Sequence, residues 1–268
     1  MGEMLAQMME QAWSSMEEVA SQLSPAEWDL PTDCPEWLVR DQVAHVNAIE
    51  GNRLGRPWAP GDPIKAPHVR NEIGAINERE IQHRRDQAPE QLLDDLRDVT
   101  GQRAKFLSGL SDEEWERDAE GVLGTAPMAD VIRVRILDVF YHDQDIRVAT
   151  GRPGGMRGDV ARFVFERMAS AMPFVVGKRA AAADGQTVVF EVGMPGETFA
   201  IGMSGARAGV LDQLPKSPTV RLQMDCETFL RLCGGRWTPQ RVEEEGRLHV
   251  AGDRDLAGRI LSNMAVTP

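Results

Sequence analysis

The 268-residue chain is 42% hydrophobic and 27% charged, the composition of a globular protein with a real core, in one large domain or two ordinary ones. Its formal net charge of −12 argues against non-specific binding to nucleic acid or an anionic membrane. No apolar run approaches the ~18 residues that a membrane span requires. The first twenty residues carry Glu3, Glu10, Glu17 and Glu18 and no basic side chain, the reverse of a signal peptide's start. With three cysteines (Cys34, Cys226, Cys233) and no C-x-x-C pair, the chain is expected in a reducing cytoplasm.

Leu5, Met8, Ala12, Met16, Val19 and Leu23 recur at helical spacing and predict a first helix that stops before Ser24-Pro25. A second helix is expected from near Pro35 to Asn52, with Asp33 as N-cap and Glu36 completing a capping box. Five prolines and glycines between Pro57 and Pro67 predict a loop. A long helical stretch follows from Arg70 to Leu110, interrupted near Pro89. After a loop at Gly121 to Pro127, a further helix runs from Met128 to Thr150 and stops at Gly151-Arg-Pro-Gly-Gly155, the expected domain boundary. Beyond it, a helix from Asp159 to Val176 precedes three strands (187–192, 198–203 and 219–224) and two helices (227–232 and 254–264). The chain therefore reads as α+β overall: a helical domain over 1–155 and a small α+β domain over 156–268.

The segments Leu23-Ser-Pro-Ala-Glu-Trp28 and Leu110-Ser-Asp-Glu-Glu-Trp115 share the form L-S-x-x-E-W, and each precedes a helix bearing a histidine. Two related hairpins packed as a four-helix bundle would explain the echo, and so would coincidence.

Only five histidines occur. His45 shares a helical face with Leu38, Gln42 and Ile49, so it points inward. Arg135, Asp138, His142 and Asp145 form a polar stripe on an otherwise apolar helix, and buried charges need partners or a metal. Asp138 and His142, at i and i+4, are able to chelate one metal with His45 as third ligand, or to form a plain ion pair. His68, His83 and His249 read as surface residues. Asn77, Glu80 and Arg84 read as a solvated face of their helix, and Trp28, Trp37, Trp58, Trp115 and Trp237 as packing residues.

The segment Cys34-Pro-Glu-Trp-Leu-Val-Arg-Asp-Gln-Val-Ala-His45 resembles the C-P-x-W-x-V-x-D-x-x-A-H signature of mycothiol-dependent enzymes of the maleylpyruvate isomerase family, which are DinB-like metal-binding helical bundles. Asp138-Val-Phe-Tyr-His142, Asp145 and the Ala149-Thr-Gly-Arg-Pro153 ending resemble the second signature of that family. Val220-Arg-Leu, Leu230-Arg-Leu, Gly235-Arg236 and Gly252-Asp253 fall as in the sterol-carrier-like domain that often completes such chains. One departure stands out, because Asp138 occupies a position where the family usually has Glu. Being one methylene shorter, it implies a metal closer to its helix or reached through water.

The resemblance implies a DinB-like four-helix bundle followed by a sterol-carrier-like domain. It implies one divalent metal on His45, Asp138 and His142, with zinc the default and iron or nickel open. Mycothiol, the small thiol of actinobacteria, would be co-substrate, and a small electrophile the substrate of an isomerase or S-transferase. Arg135, steering an anionic substrate or neutralising Asp138, and Asp145, orienting a ligand, are the expected catalytic residues beside the metal, with a structural salt bridge for Arg135 and a helix-end cap for Asp145 as the plainer alternatives. Two other readings remain at this stage. One is a metal enzyme acting directly on substrate or water (a hydrolase, lyase or cyclase). The other is a ligand-binding or regulatory protein without catalysis. No nucleic acid or membrane partner is expected, and the oligomeric state is open.

Overall fold

The structure is a computed structural model that describes residues 1–121 and 124–267. Its Cα positions divide into two compact units, Met1–Gly155 and Met156–Pro268. The architecture is α+β, with a helical first unit and a mixed sheet with helices in the second. Among the described residues, no helix is long and apolar enough to cross a membrane.

The first unit is built on four long helices: α1 (Gly2–Ala20), α2 (Val39–Arg53), α4 (Pro89–Ser108) and α6 (Met128–Ala149), with α3 (Glu72–Arg84) laid against α2. Helices α1 and α2 each pack on both α4 and α6, which closes the four into a bundle. The α1 face of Leu5, Met8, Met9, Ala12, Trp13, Met16 and Val19 is buried, as its period requires. Helices α2 and α6 are buried on nearly all sides, polar residues included.

Both L-S-x-x-E-W segments fold alike. Ser24 N donates to Glu27 Oε2 at 2.7 Å over a 3₁₀ turn, and Ser111 N to Glu114 Oε2 at 2.8 Å over α5 (Asp112–Glu116). Each box seats its Trp, Trp28 or Trp115, in the core. The glycine-rich ending of α6 meets backbone demands that only glycine satisfies easily. Gly151 lies at φ +64°, and at Gly155 (φ +70°) a Cβ would come within 2.6 Å of Gln144 Nε2.

Several expectations are corrected. Helix α2 begins at Val39, not Pro35, because Glu36 takes φ +65° and Asp41 supplies the cap, its Oδ2 accepting from Leu38 N at 2.8 Å. Residues 32–37 form a closed loop instead, with Thr32 N donating to Trp37 O at 3.1 Å and a bridge from Pro31 to Leu38. The interruption expected near Pro89 is present: the stretch 70–110 is two helices, Pro89 opening the second. The expected loop at Gly121 to Pro127 belongs to an antiparallel hairpin, β1 (Asp118–Gly121) with β2 (Gly124–Pro127); residues 122 and 123 lie outside the described residues.

In the second unit, β3 (Thr187–Val192), β4 (Thr198–Ser204), β5 (Arg207–Val210), β6 (Val220–Met224) and β7 (Leu248–Gly252) form one sheet in the order β5-β4-β3-β6-β7. Its central pair, β3 and β6, is parallel and the other pairs are antiparallel. The expected helix over 159–176 is broken into α7 (Asp159–Ala169), a short α8 (Met172–Phe174) and a π-turn at Val175–Arg179. Helices α9 (Cys226–Cys233), α10 (Pro239–Glu244) and α11 (Arg254–Leu261) complete the unit. Phe165, Phe190, Phe199 and Phe229 meet in its core, with Phe190 stacked on its cross-strand partner Phe199 at 4.9 Å.

Candidate metal centre

Three side chains from two facing helices converge inside the bundle. His45 comes from α2, and Asp138 and His142 come from successive turns of α6. One donor atom from each lies within 4.8 Å of the others. His45 Nε2 is 3.1 Å from Asp138 Oδ2, and His142 Nε2 is 3.6 Å from Asp138 Oδ1. Donors about 2.0–2.1 Å from a tetrahedral zinc are about 3.3 Å apart, so these separations fit a single small cation. Both imidazoles are buried, while the Asp138 side chain is 32% exposed, so the cluster meets solvent at Asp138.

The outer contacts differ between the two imidazoles. His142 Nδ1 lies 2.5 Å from Gln42 Oε1, and Gln42 Nε2 in turn donates to Thr32 Oγ1 at 2.9 Å. A carbonyl oxygen only accepts, so His142 carries a proton on Nδ1, and Nε2 is the ring nitrogen turned to the cluster. His45 Nδ1, by contrast, is buried with no hydrogen-bond partner among the described residues. Trp37 covers both rings. Its centroid is 5.6 Å from that of His142 at 19° between planes, and 5.4 Å from that of His45.

Asp138 is held in place by Arg135, whose Nη1 donates to Asp138 Oδ2 at 2.5 Å while its Nε donates to Glu50 Oε1 at 2.9 Å. The other oxygen of Glu50 accepts from Arg103 Nε at 3.0 Å. Arg103, Glu50 and Arg135 are 3%, 0% and 2% exposed, so an alternating chain of buried charges runs from α4 through α2 and α6 to the cluster. Burial alone would raise the Asp138 pKa. The Arg135 guanidinium and both imidazoles outweigh it and hold the carboxyl well below the usual range, ionised as a metal ligand must be. Burial pushes His45 down to about 4 against the opposing pull of Asp138, so it is neutral at pH 7; its Nε2 proton faces Asp138 Oδ2, and a cation on Nε2 would shift that proton to Nδ1.

The two residues expected beside the metal fall out differently. Arg135 has its guanidinium engaged with Glu50 and Asp138, the geometry of a residue that fixes Asp138. Asp145 is fully buried and its Oδ2 is 3.9 Å from His142 Nδ1, so the hydrogen bond that orients His142 comes from Gln42. Other surface expectations are corrected too. Glu80 is buried, accepting from Ala59 N at 2.8 Å and from Arg84 Nη1 at 2.8 Å, and Asn77 is half-buried. His68 is half-buried and bonds Glu78, whereas His83 and His249 are exposed. Trp58 is exposed, not packed. Sequence reasoning did not reach Gln42, Glu50 or Arg103. Gln42, one turn before His45 on its inward face, gave the one available signal.

The chain is thus a helical bundle that gathers two imidazoles and a carboxylate at its centre, followed by an α+β sheet domain. The chain belongs to the mycothiol maleylpyruvate isomerase family: the model described as "Mycothiol maleylpyruvate isomerase N-terminal domain" matches residues 9–147, and "SCP-2 sterol transfer family" matches 165–262. Two solved structures align over nearly the full length. A crystal structure of an alanine mutant of the mycothiol-dependent maleylpyruvate isomerase gives a TM-score of 0.58 at 16% identity, covering 94% of this chain and 93% of that one. A second crystal structure of that isomerase gives 0.56 at 17%, covering 88% and 90%. At these identities the likeness is one of fold. No curated protein matches the chain.

Proposed function

We propose that the protein is a thiol-dependent isomerase, with S-transfer as the same chemistry stopped midway, acting on a small electrophile that carries a conjugated double bond. One divalent cation, zinc by the donor set, would be held by His45, Asp138 and His142. The observation that carries this reading is the convergence of those donors, with His142 committed by Gln42 to offering Nε2. When bound, the cation supplies Lewis acidity that keeps a coordinated thiol, pKa about 8.5 when free, ionised at neutral pH. Membership of the family and the names of the solved relatives favour mycothiol as that thiol.

The chain's own residues set the conditions. Arg135 keeps Asp138 ionised and fixed, Gln42 fixes the His142 tautomer, and Trp37 excludes water from one face of both imidazoles. In the reaction, thiolate sulfur bonds to one alkene carbon as the π electrons move onto the conjugated carbonyl. The former double bond rotates, the electrons return, and the C–S bond breaks to release the trans product and the same thiolate. Protonation of the adduct before expulsion gives S-transfer instead.

The test is to follow maleylpyruvate by NMR with zinc-loaded protein, with and without mycothiol. Isomerisation that needs the thiol and disappears in Asp138→Ala supports the reading. Turnover that is equal without any thiol replaces it with metal chemistry directly on the substrate.

A further inference from the structure

We propose that Glu78 and His68 are positioning residues that clamp Trp37 against the imidazoles, and that this clamp replaces the orienting hydrogen bond His45 lacks. The inference rests on reading the cluster as a cation site. A histidine that binds a metal ordinarily gives its second ring nitrogen to an acceptor, which fixes the ring plane. His142 has that acceptor in Gln42. His45 Nδ1 has none among the described residues, so beyond the Nε2 contact to Asp138 it is packing that sets its ring plane.

The rings in contact with His45 are Trp37, at 5.4 Å and 47°, and His142, at 4.6 Å and 56°. Since Gln42 fixes His142 and Arg135 fixes Asp138, the remaining variable is the position of Trp37. Trp37 Nε1 donates to Glu78 Oε2 at 3.1 Å, and that same oxygen lies 3.0 Å from His68 Nε2. Glu78 Oε1 accepts from Gln82 Nε2 at 3.0 Å. Three donors thus converge on one buried carboxylate. Burial would raise its pKa, but His68, Gln82 and Trp37 together lower it, and a carboxylate that only accepts requires His68 to carry its proton on Nε2.

His68 is itself anchored. It ends the proline-rich segment, which is tied to α3 by Ile64 N to Ala75 O at 2.9 Å, Ala59 N to Glu80 Oε1 at 2.8 Å and Arg79 Nη1 to Gly61 O at 3.0 Å. The strap therefore holds His68, His68 and α3 hold Glu78, Glu78 holds the indole, and the indole bears on the two nitrogen donors.

The experiment uses ¹⁵N-labelled full-length chain, first free of metal. The Trp37 indole N–H signal is identified by its loss in Trp37→Phe, and zinc affinity is measured by competition with a chromophoric chelator. In Glu78→Ala the indole signal moves upfield, the His45 ring signals shift, and zinc binds about 10-fold more weakly, the loss typical of a removed outer partner. Glu78→Gln, which retains an acceptor oxygen, restores all three readouts toward wild type, and His68→Ala falls between. An unmoved indole signal, or a moved one with His45 signals and zinc affinity unchanged, overturns the clamp. Should the wild type bind no zinc, the cation reading fails by itself, while the His45 ring signals of the metal-free variants still decide the clamp. Should Glu78→Ala fail to fold, His68→Ala and Glu78→Gln carry the same comparison.

Discussion

Replacing Gln42 by leucine isolates the contact that commits His142. When Nε2 binds a cation, the ring proton must sit on Nδ1, 2.5 Å from Gln42 Oε1. Leucine fills similar space and offers no acceptor, so the metal-bound state would bury an unpaired donor at a cost of about 1–3 kcal/mol. The metal-free state escapes most of that cost, because a neutral ring is free to place its proton on Nε2, facing Asp138 Oδ1 at 3.6 Å. Thr32 Oγ1 loses the Gln42 donor but keeps its own bond to Trp37 O at 2.8 Å. The penalty therefore falls on metal affinity. At about 1.4 kcal/mol per decade it amounts to roughly 5- to 150-fold weaker zinc binding by competition titration. Gln42→Glu retains an acceptor and is predicted to lose far less. Wild-type zinc affinity in Gln42→Leu, or equal losses in both variants, would refute the reasoning.

Three further outcomes are expected. Glu50→Gln removes the carboxylate between two buried guanidiniums, and a broken buried pair costs about 3–5 kcal/mol; a denaturant midpoint equal to wild type would show that Arg103 and Arg135 do not depend on it. The metal-free protein should gain stability as pH rises from about 4 to 6.5, because His45 binds fewer protons folded than unfolded across that window. At about 1.4 kcal/mol per unit this contributes about 3 kcal/mol. Asp143, raised by burial to about 6, acts in the opposite direction over much of the range, so the diagnostic is the slope difference between wild type and His45→Gln, and identical slopes would contradict it. Finally, the division after Gly155 predicts that residues 156–268 expressed alone melt cooperatively, whereas a broad, non-cooperative melt would mean that the second unit needs the first.

The helical period carried much of the first unit, since α1 and α4 bury apolar faces that recur every three to four residues. The start of α2 was illegible because two N-cap signals lie in series. Asp33 with Glu36 has the right chemistry, yet Glu36 adopts a left-handed backbone and Asp41 does the capping. Strands β5 and β7 are edges whose side chains are largely exposed, so neither shows the alternation that marks a half-buried strand. At the site, His45, Asp138 and His142 were readable as inward-facing ligand types at workable spacing. Of their supports, Arg135 was readable on the same stripe and the rest were not. Glu50, Arg103 and Glu78 look like any solvated charge in one dimension, and only the facing helices show that each meets an opposite charge or a donor in the interior.

The most direct test of the account is the metal content of the protein purified without added metal, compared with His142→Ala. About one divalent cation per chain in the wild type, lost in the variant, is the predicted result. No metal in either protein, even after incubation with zinc, iron and nickel salts, would contradict it. His45, Asp138 and His142 would then form a buried hydrogen-bonded cluster, and the thiol chemistry proposed for them would have no foundation.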